Sequence, residues 1–282
     1  MPNGEYPTMH SYDKLKGMFE IGDVVYLESE PKRLMTVSML LKVKNIPDWN
    51  KKYIKKQLRD QGYANSDDVI QCRWFKGRLD MVDYFKPHML LLKSRADACL
   101  SFEDGDVVCL KSNPEKLMTV SFVKKAAFIF HYAGKPLQQK IQEDGYNEND
   151  DVIQCTWFFW GPEIIADYFK PRMLQLLSRD AACPVFEEGD IVSLKSDPQR
   201  LMVVSSVLRQ YDKLFTQFIE AHVHCFGYRD GDAVCCWYDK YNTNAELGYT
   251  ERCFKAAMLI KRPKHFRPLF YLQNPQMLFK KA

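Results

Sequence analysis

At 282 residues, with 46% hydrophobic and 27% charged residues, the chain exceeds one ordinary domain and has the composition of folded protein rather than of extended disorder. Its net charge of +4 is unevenly spread: Arg252 to Ala282 holds eight Lys/Arg and no acid, so the remainder carries 32 basic against 36 acidic residues. No apolar run reaches the ~20 residues of a membrane helix, and Met1 to Lys16 lacks an apolar signal core, so a cytoplasmic protein without membrane contact is expected.

After an N-terminal extension, residues 1–18, the chain repeats itself. Phe19 to Ser38 reads FEIGDVVYLESEPKRLMTVS, Phe102 to Ser121 reads FEDGDVVCLKSNPEKLMTVS, and Phe186 to Ser205 reads FEEGDIVSLKSDPQRLMVVS. Gly22, Gly105 and Gly189 thus fall 83 and 84 residues apart. Gly-Asp supplies a turn, the β-branched residues after it a strand, and Pro31, Pro114 and Pro198 a second turn before the next strand.

Inserts with helical spacing follow. Ile54 and Leu58, Leu137 and Ile141, and Ile219 and Val223 are i, i+4 pairs in equivalent places, each succeeded by a Gly-Tyr pair at Gly62, Gly145 or Gly227 that predicts a helix C-terminus. Asp48 suits an N-cap and Pro136 a first helical turn. The first insert, Lys42 to Ser66, carries seven basic residues against Asp48 and Asp60; the second is near neutral and the third largely apolar and aromatic.

The next block reads DDVIQCRWF to Phe75, DDVIQCTWF to Phe158 and DAVCCWY to Tyr238. Its period of two places Ile70, Cys72 and Trp74 on one face, the expected core, with Cys155 and Trp157 and then Cys235 and Trp237 in the same pattern. The units close with YFKPHML, YFKPRML and CFKAAML, ending at Leu90, Leu174 and Leu259. The expectation is a mainly β protein with helical inserts (α+β), built as three tandem small SH3-like β-barrel modules, residues 19–94, 102–178 and 186–262, followed by a basic-aromatic tail, residues 263–282. A four-stranded sheet packed by the helix is the alternative for each unit.

The GDVVxLKSxxxxLMTV segment, the later VxCxWF and the closing F-x-x-x-x-L resemble the YodC-like family of small bacterial proteins of unknown function, about one unit long. The resemblance covers nearly all of each repeat except the helical insert. It implies a small β-barrel-like fold and no established chemistry, so no catalytic or ligand residue carries over. Triplication, the long inserts, and Pro-Lys or Pro-Glu where family members often carry Gly-Gly depart from that family.

No phosphate-binding loop, dinucleotide fingerprint, HExxH or GxSxG occurs, and triplication raises valency where an enzyme needs one site. The repeated Asp pairs suit turns before strands. Nine cysteines, an odd number without CxxC spacing, read as reduced structural thiols; Cys72 and Cys155 have no matching His nearby. His222, His224, Cys225, Cys235, Cys236 and Cys253 are capable zinc ligands, but Cys235 and Cys236 are strand neighbours facing opposite sides and His222 and His224 diverge on a helix. No cofactor, metal or catalytic residue is therefore expected.

What remains is binding. Adjacent aromatics alternate across a strand, so Phe75, Phe158, Trp160 and Tyr238 are candidates to line either a partner groove or a contact between units. Trp49 and Tyr53 among Lys52, Lys55 and Lys56, together with Phe266, Arg267 and Phe270 in the tail, complete the candidate partner-binding set. A non-enzymatic scaffold that binds a protein partner is the first expectation. Nucleic-acid binding through the first insert and the basic tail is the second. Elemental analysis of protein purified without added metal is expected to find no stoichiometric zinc; one zinc per chain would overturn the reading of the third unit's His and Cys residues.

Overall fold

The computed structural model describes residues 17–46, 51–77, 79–96, 101–158, 164–179, 184–208, 228–238 and 249–263. The protein is mainly β. Strands β1 (Val24–Leu27), β2 (Glu30–Lys42), β3 (Asp68–Lys76), β4 (Leu79–Phe85) and β5 (Leu90–Ser94) form the first antiparallel sheet, in the order β4-β3-β2-β1-β5. The second contains β6 (Val107–Leu110), β7 (Asn113–Lys125), β8 (Asp151–Phe158), β9 (Ile164–Phe169) and β10 (Leu174–Ser178). The third contains β11 (Ile191–Leu194), β12 (Asp197–Val207), β13 (Ala233–Tyr238), β14 (Tyr249–Phe254) and β15 (Leu259–Lys261). Both repeat the neighbour order of the first: β9-β8-β7-β6-β10 and β14-β13-β12-β11-β15. Each sheet thus has five strands, because a single 3-10 turn (Pro87–Met89, Pro171–Met173 or Ala256–Met258) separates a fourth strand from a closing fifth.

The recurrent Gly-Asp turn is held by the same bonds each time. Gly22, Gly105 and Gly189 donate to the carbonyls of Val37, Val120 and Val204 at 2.8 Å. The buried carboxylates of Asp23, Asp106 and Asp190 accept from the backbone three residues earlier at 2.8–2.9 Å. A cation from just beyond or within the closing strand then meets each: Arg95 at 3.0 Å, Arg179 at 2.7 Å and Lys261 at 2.6 Å. Asp67, Asp150 and Asp232 cap a second turn in the same way, accepting from Ala64, Asn147 and Arg229.

The serine that ends each LMTVS or LMVVS block marks a β-bulge. The pairing register shifts across Ser38, Ser121 and Ser205, and each hydroxyl donates to a carbonyl of the facing strand at 3.1–3.2 Å. An extra residue in one strand exchanges the faces its side chains occupy. Consequently β2 packs Met35 and Val37 with Ile70, Cys72 and Trp74 in one core, and Met39 and Leu41 with Val69 and Leu58 in a second. The second core lies under α1 (Lys51–Asp60). Its counterpart in the next unit lies under two helices, α2 (Ala126–Tyr132) and α3 (Lys135–Glu143), where the sequence suggested one. Pro136 sits in the first turn of α3, and Gly62 and Gly145, both at positive φ, follow α1 and α3. Asp48 and the third insert, including Ile219, Val223 and Gly227, lie outside the described residues. Among those residues no helix is long and apolar enough to cross a membrane.

Successive units meet through one recurring contact. Phe75, at the end of the first unit's β3, is buried in the core of the second, edge-on to Trp157 with ring centres 5.6 Å apart. Phe158 repeats this against Trp237 at 5.9 Å. Beside each aromatic pair, Thr36 and Ser112 share a 2.8 Å hydroxyl bond, as do Thr119 and Ser196 at 2.7 Å; the serine amides return a bond to the threonine oxygens at 3.1 Å. At the seam a Cβ on Gly22 would sit on the carbonyl of Arg172, and one on Gly105 on the carbonyl of Ala257, whereas a Cβ on Gly189 would meet nothing. All three glycines are at positive φ, so Gly189→Ala is expected to cost about 1–2 kcal/mol from backbone strain alone. Gly22→Ala and Gly105→Ala are expected to cost more in urea unfolding, because the methyl must also push a neighbouring unit away; equal costs at the three sites would show that the seams do not depend on this close approach.

Candidate functional site

The seams account for two of the aromatics that the sequence offered to a partner. Phe75 and Phe158 are buried against the next unit rather than presented on a free face. Lys116 stands over both Phe75 and Trp157, 5.9 Å from each ring centre, and Arg200 over Phe158 at 4.4 Å, so each inserted ring lies beside a tryptophan and a cation. Trp157 Nε1 finds no acceptor among the described residues, and the indole serves as an apolar plate.

The first unit carries the equivalent residues of this slot, with Trp74 itself buried. Trp74 corresponds to Trp157 and Trp237, and Arg33 to Lys116 and Arg200; Arg33 stands 5.7 Å over the Trp74 ring while pairing with Glu30 at 2.7 Å. Met173 and Met258 share a core with the inserted phenylalanines and are 2% and 3% exposed, whereas the equivalent Met89 is 40% exposed. Leu27 is half-buried where Leu110 and Leu194 are fully buried, and Ser29, equivalent to Ser112 and Ser196, is exposed. Met89 is held in place by the Tyr63 hydroxyl, which donates to its sulfur at 3.6 Å. This end face, apolar at Met89 and Leu27 and edged by Arg33, Lys86 and His88, is the candidate binding surface.

The cationic first insert flanks the same unit. Lys56 and Arg59 are exposed on α1, while Lys55 turns back to donate to the carbonyl of Lys44 at 2.8 Å. Lys52 and Tyr53 lie within α1 and Tyr238 within β13, but their side chains are not among those described. Trp49, Trp160, Phe266, Arg267 and Phe270 lie outside the described residues, as do His222, His224 and Cys225. Among the described residues no cluster of three or more His, Cys, Asp or Glu could hold a metal ion. Burial pushes the Cys72, Cys155 and Cys235 thiols up, which keeps them protonated in their cores.

A charged cluster missed in the sequence lies between the first two units. Arg73, on the β3 face opposite Trp74, bonds to Asp80 of its own unit, to Asp167 of the second, and to the carbonyl of Tyr168 at 2.8 Å; Lys140 reaches Asp167 from α3. Both faces of β3 are therefore buried, one in the core and one in the seam, although alternation alone pointed to a single buried face. The second seam has Thr156 and Ile164 at the places of Arg73 and Asp80, so both positions are uncharged there. Nearby, a cleft of about 680 Å³ opens between the units, with Lys170, Arg172, Asp150 and Asp151 among its lining residues.

Nothing comparable was found among known proteins: no family model matches the chain, and no curated protein or solved structure matches it significantly.

The cluster links stability to pH. Burial pushes the Asp144 carboxyl up to about 6, outweighing the attraction of Arg73, Lys140 and Lys170. Asp167 is also buried, but Arg73 and Lys140 hold it below its ordinary value. A raised folded pKa means that Asp144 contributes stability in its protonated form, present below the ordinary carboxylate range and lost as pH rises through about 6. Asp167 has the opposite sign, and its contribution is lost only at lower pH, as acid protonates it. Asp144→Asn is accordingly expected to unfold at higher temperature than wild type at pH 7, with the difference shrinking toward about pH 4.5. A difference independent of pH in thermal melts would separate Asp144 from the pH response.

Proposed function

We propose that this protein is a non-enzymatic, tandem-unit interaction protein that binds a protein partner through the uncovered end of its first unit. Each sheet is read as a small SH3-like barrel carrying a helical insert. The five-strand order, the bulged second strand and the 3-10 turn before the closing strand support that reading. The family resemblance agrees on a small barrel and adds no chemistry.

One observation carries the proposal. The surface that units two and three bury against a neighbour, at Met173 and Met258, stands open in unit one at Met89. Single exposed apolar side chains are ordinary, but this one belongs to a contact surface that the chain itself uses twice. The seam chemistry of aromatic ring, hydroxyl pair and ion pair is also that of protein interfaces. The exposed Lys56 and Arg59 of α1 support the second reading, nucleic-acid binding.

Affinity capture with the full chain separates the two. With wild type, Met89→Glu and Lys56→Glu/Arg59→Glu baits, each with and without nuclease, the expected result is a protein partner retained after nuclease, lost with Met89→Glu, and kept with the α1 variant. Capture that Met89→Glu leaves unchanged, or that nuclease abolishes, would overturn the proposal; loss with the α1 variant and nuclease together would favour nucleic acid.

A further inference from the structure

The following rests on reading the first unit's end as a protein-binding surface, and it names the occupant. We infer that the slot at Trp74, Arg33 and Met89 takes an aromatic side chain carried by an acidic segment of another polypeptide.

The chain's own seams display what such a slot holds. In both, a phenylalanine enters from the neighbouring unit, packs at right angles to a tryptophan with ring centres 5.6 or 5.9 Å apart, and lies under a Lys or Arg from the second strand of the receiving unit. The first unit retains the tryptophan and the cation in the same relation, with Arg33 5.7 Å above the Trp74 ring. The Glu30 contact of Arg33 engages one terminal nitrogen and leaves the guanidinium plane able to stack.

The acidic requirement also comes from the seams. The entering unit supplies a carboxylate to a cation on or beside the 3-10 turn of the receiving one: Glu20 to Arg172 at 2.9 Å, and Asp104 to Lys255 at 2.7 Å. At the corresponding places the first unit carries His88 and Lys86, with Asp67 3.5 Å from Lys86. Arg33 adds a third basic group, and the exposed Ser29 hydroxyl stands where Ser112 and Ser196 accept a threonine.

A second copy of this chain is the obvious rival, since a head-to-tail contact used twice would propagate if the ends matched. They do not match. Thr36 and Thr119, which bond the next unit's serine, are replaced in the third unit by Val203, and Cys236 stands where Arg73 and Thr156 do. A valine offers Ser29 neither donor nor acceptor. The receiving end is complete and the donating end is altered, which points to a different polypeptide.

Methyl spectra of the full chain labelled at methionine test this directly, with the Met89 signal assigned by Met89→Leu. The probe is an acetylated, amidated Asp-Glu-Phe-Glu-Asp peptide; its controls replace Phe by Ala, or the acids by Lys. Because Phe75 and Met173 share one core, a bound ring is expected to move the Met89 methyl upfield in a saturable way. Arg33→Glu, the Ala control and the Lys-flanked control are each expected to weaken binding about tenfold or more. An unmoved Met89 methyl, or equal effects of the probe and both controls, would overturn the assignment. So would a Met89 shift produced by concentrating the protein alone, which identifies a second copy. A shift already present without peptide and released by deleting residues 1–16 would assign the slot to the chain's own N-terminal segment and overturn it likewise. If Met89→Glu abolishes partner capture while no peptide moves the methyl, the occupant is wrong and the protein-binding reading stands; if capture is also unaffected, both fall.

Discussion

The edge-on seating of one unit's phenylalanine against the next unit's tryptophan is the contact on which the arrangement of this protein depends. Burying a phenylalanine contributes on the order of 1.5–3 kcal/mol, and the aromatic pair adds roughly 0.5–1.5 kcal/mol. Other groups are placed around that insertion. The threonine-serine bond fixes its register, the glycine of the first turn permits close approach, and a cation lies over the ring. Cores of the second and third units are completed by a residue that does not belong to them, so a unit in this chain is not an independent body but one element of a series with a direction.

That direction gives the two ends different characters. Along the series each unit receives a ring on one side and donates one on the other. Among the described residues no further unit meets the receiving side of the first unit or the donating side of the third. At the donating end the threonine has become Val203, while at the receiving end tryptophan, cation and serine all persist. Arg33 over Trp74 keeps the geometry that in the second unit, with Lys116 over Trp157, accompanies the inserted Phe75.

The two seams are alike in their aromatic contact and different in their polar one. The first holds Arg73 between Asp80 and Asp167, a buried ionic arrangement whose Coulombic gain is largely offset by desolvation. The second replaces that site with Thr156 and Ile164. Ion pairing in the first seam thus specifies which surfaces meet more than it strengthens the meeting, and it makes that seam sensitive to protons through Asp144 and Asp167.

The sequence by itself determined the local elements, because turns and alternation are short-range physics. Gly-Asp turns, proline-marked hairpins, the VIQC strand and the Gly-Tyr helix ends are all written within a few residues of where they act. It also contained the evidence for the end face, in Val203 against Thr36 and Thr119, but that substitution has no meaning until the threonines are known to face another unit. Tertiary structure alone decided where Phe75 and Phe158 go, since alternation says only that they leave their own core and not what they enter. It alone showed that the serine bulge lets one strand serve two cores, that Arg73 is buried in a seam, and that Met89 is exposed where its two counterparts are covered. Those facts depend on how units stack, and stacking is fixed by surfaces brought together from residues some 80 positions apart.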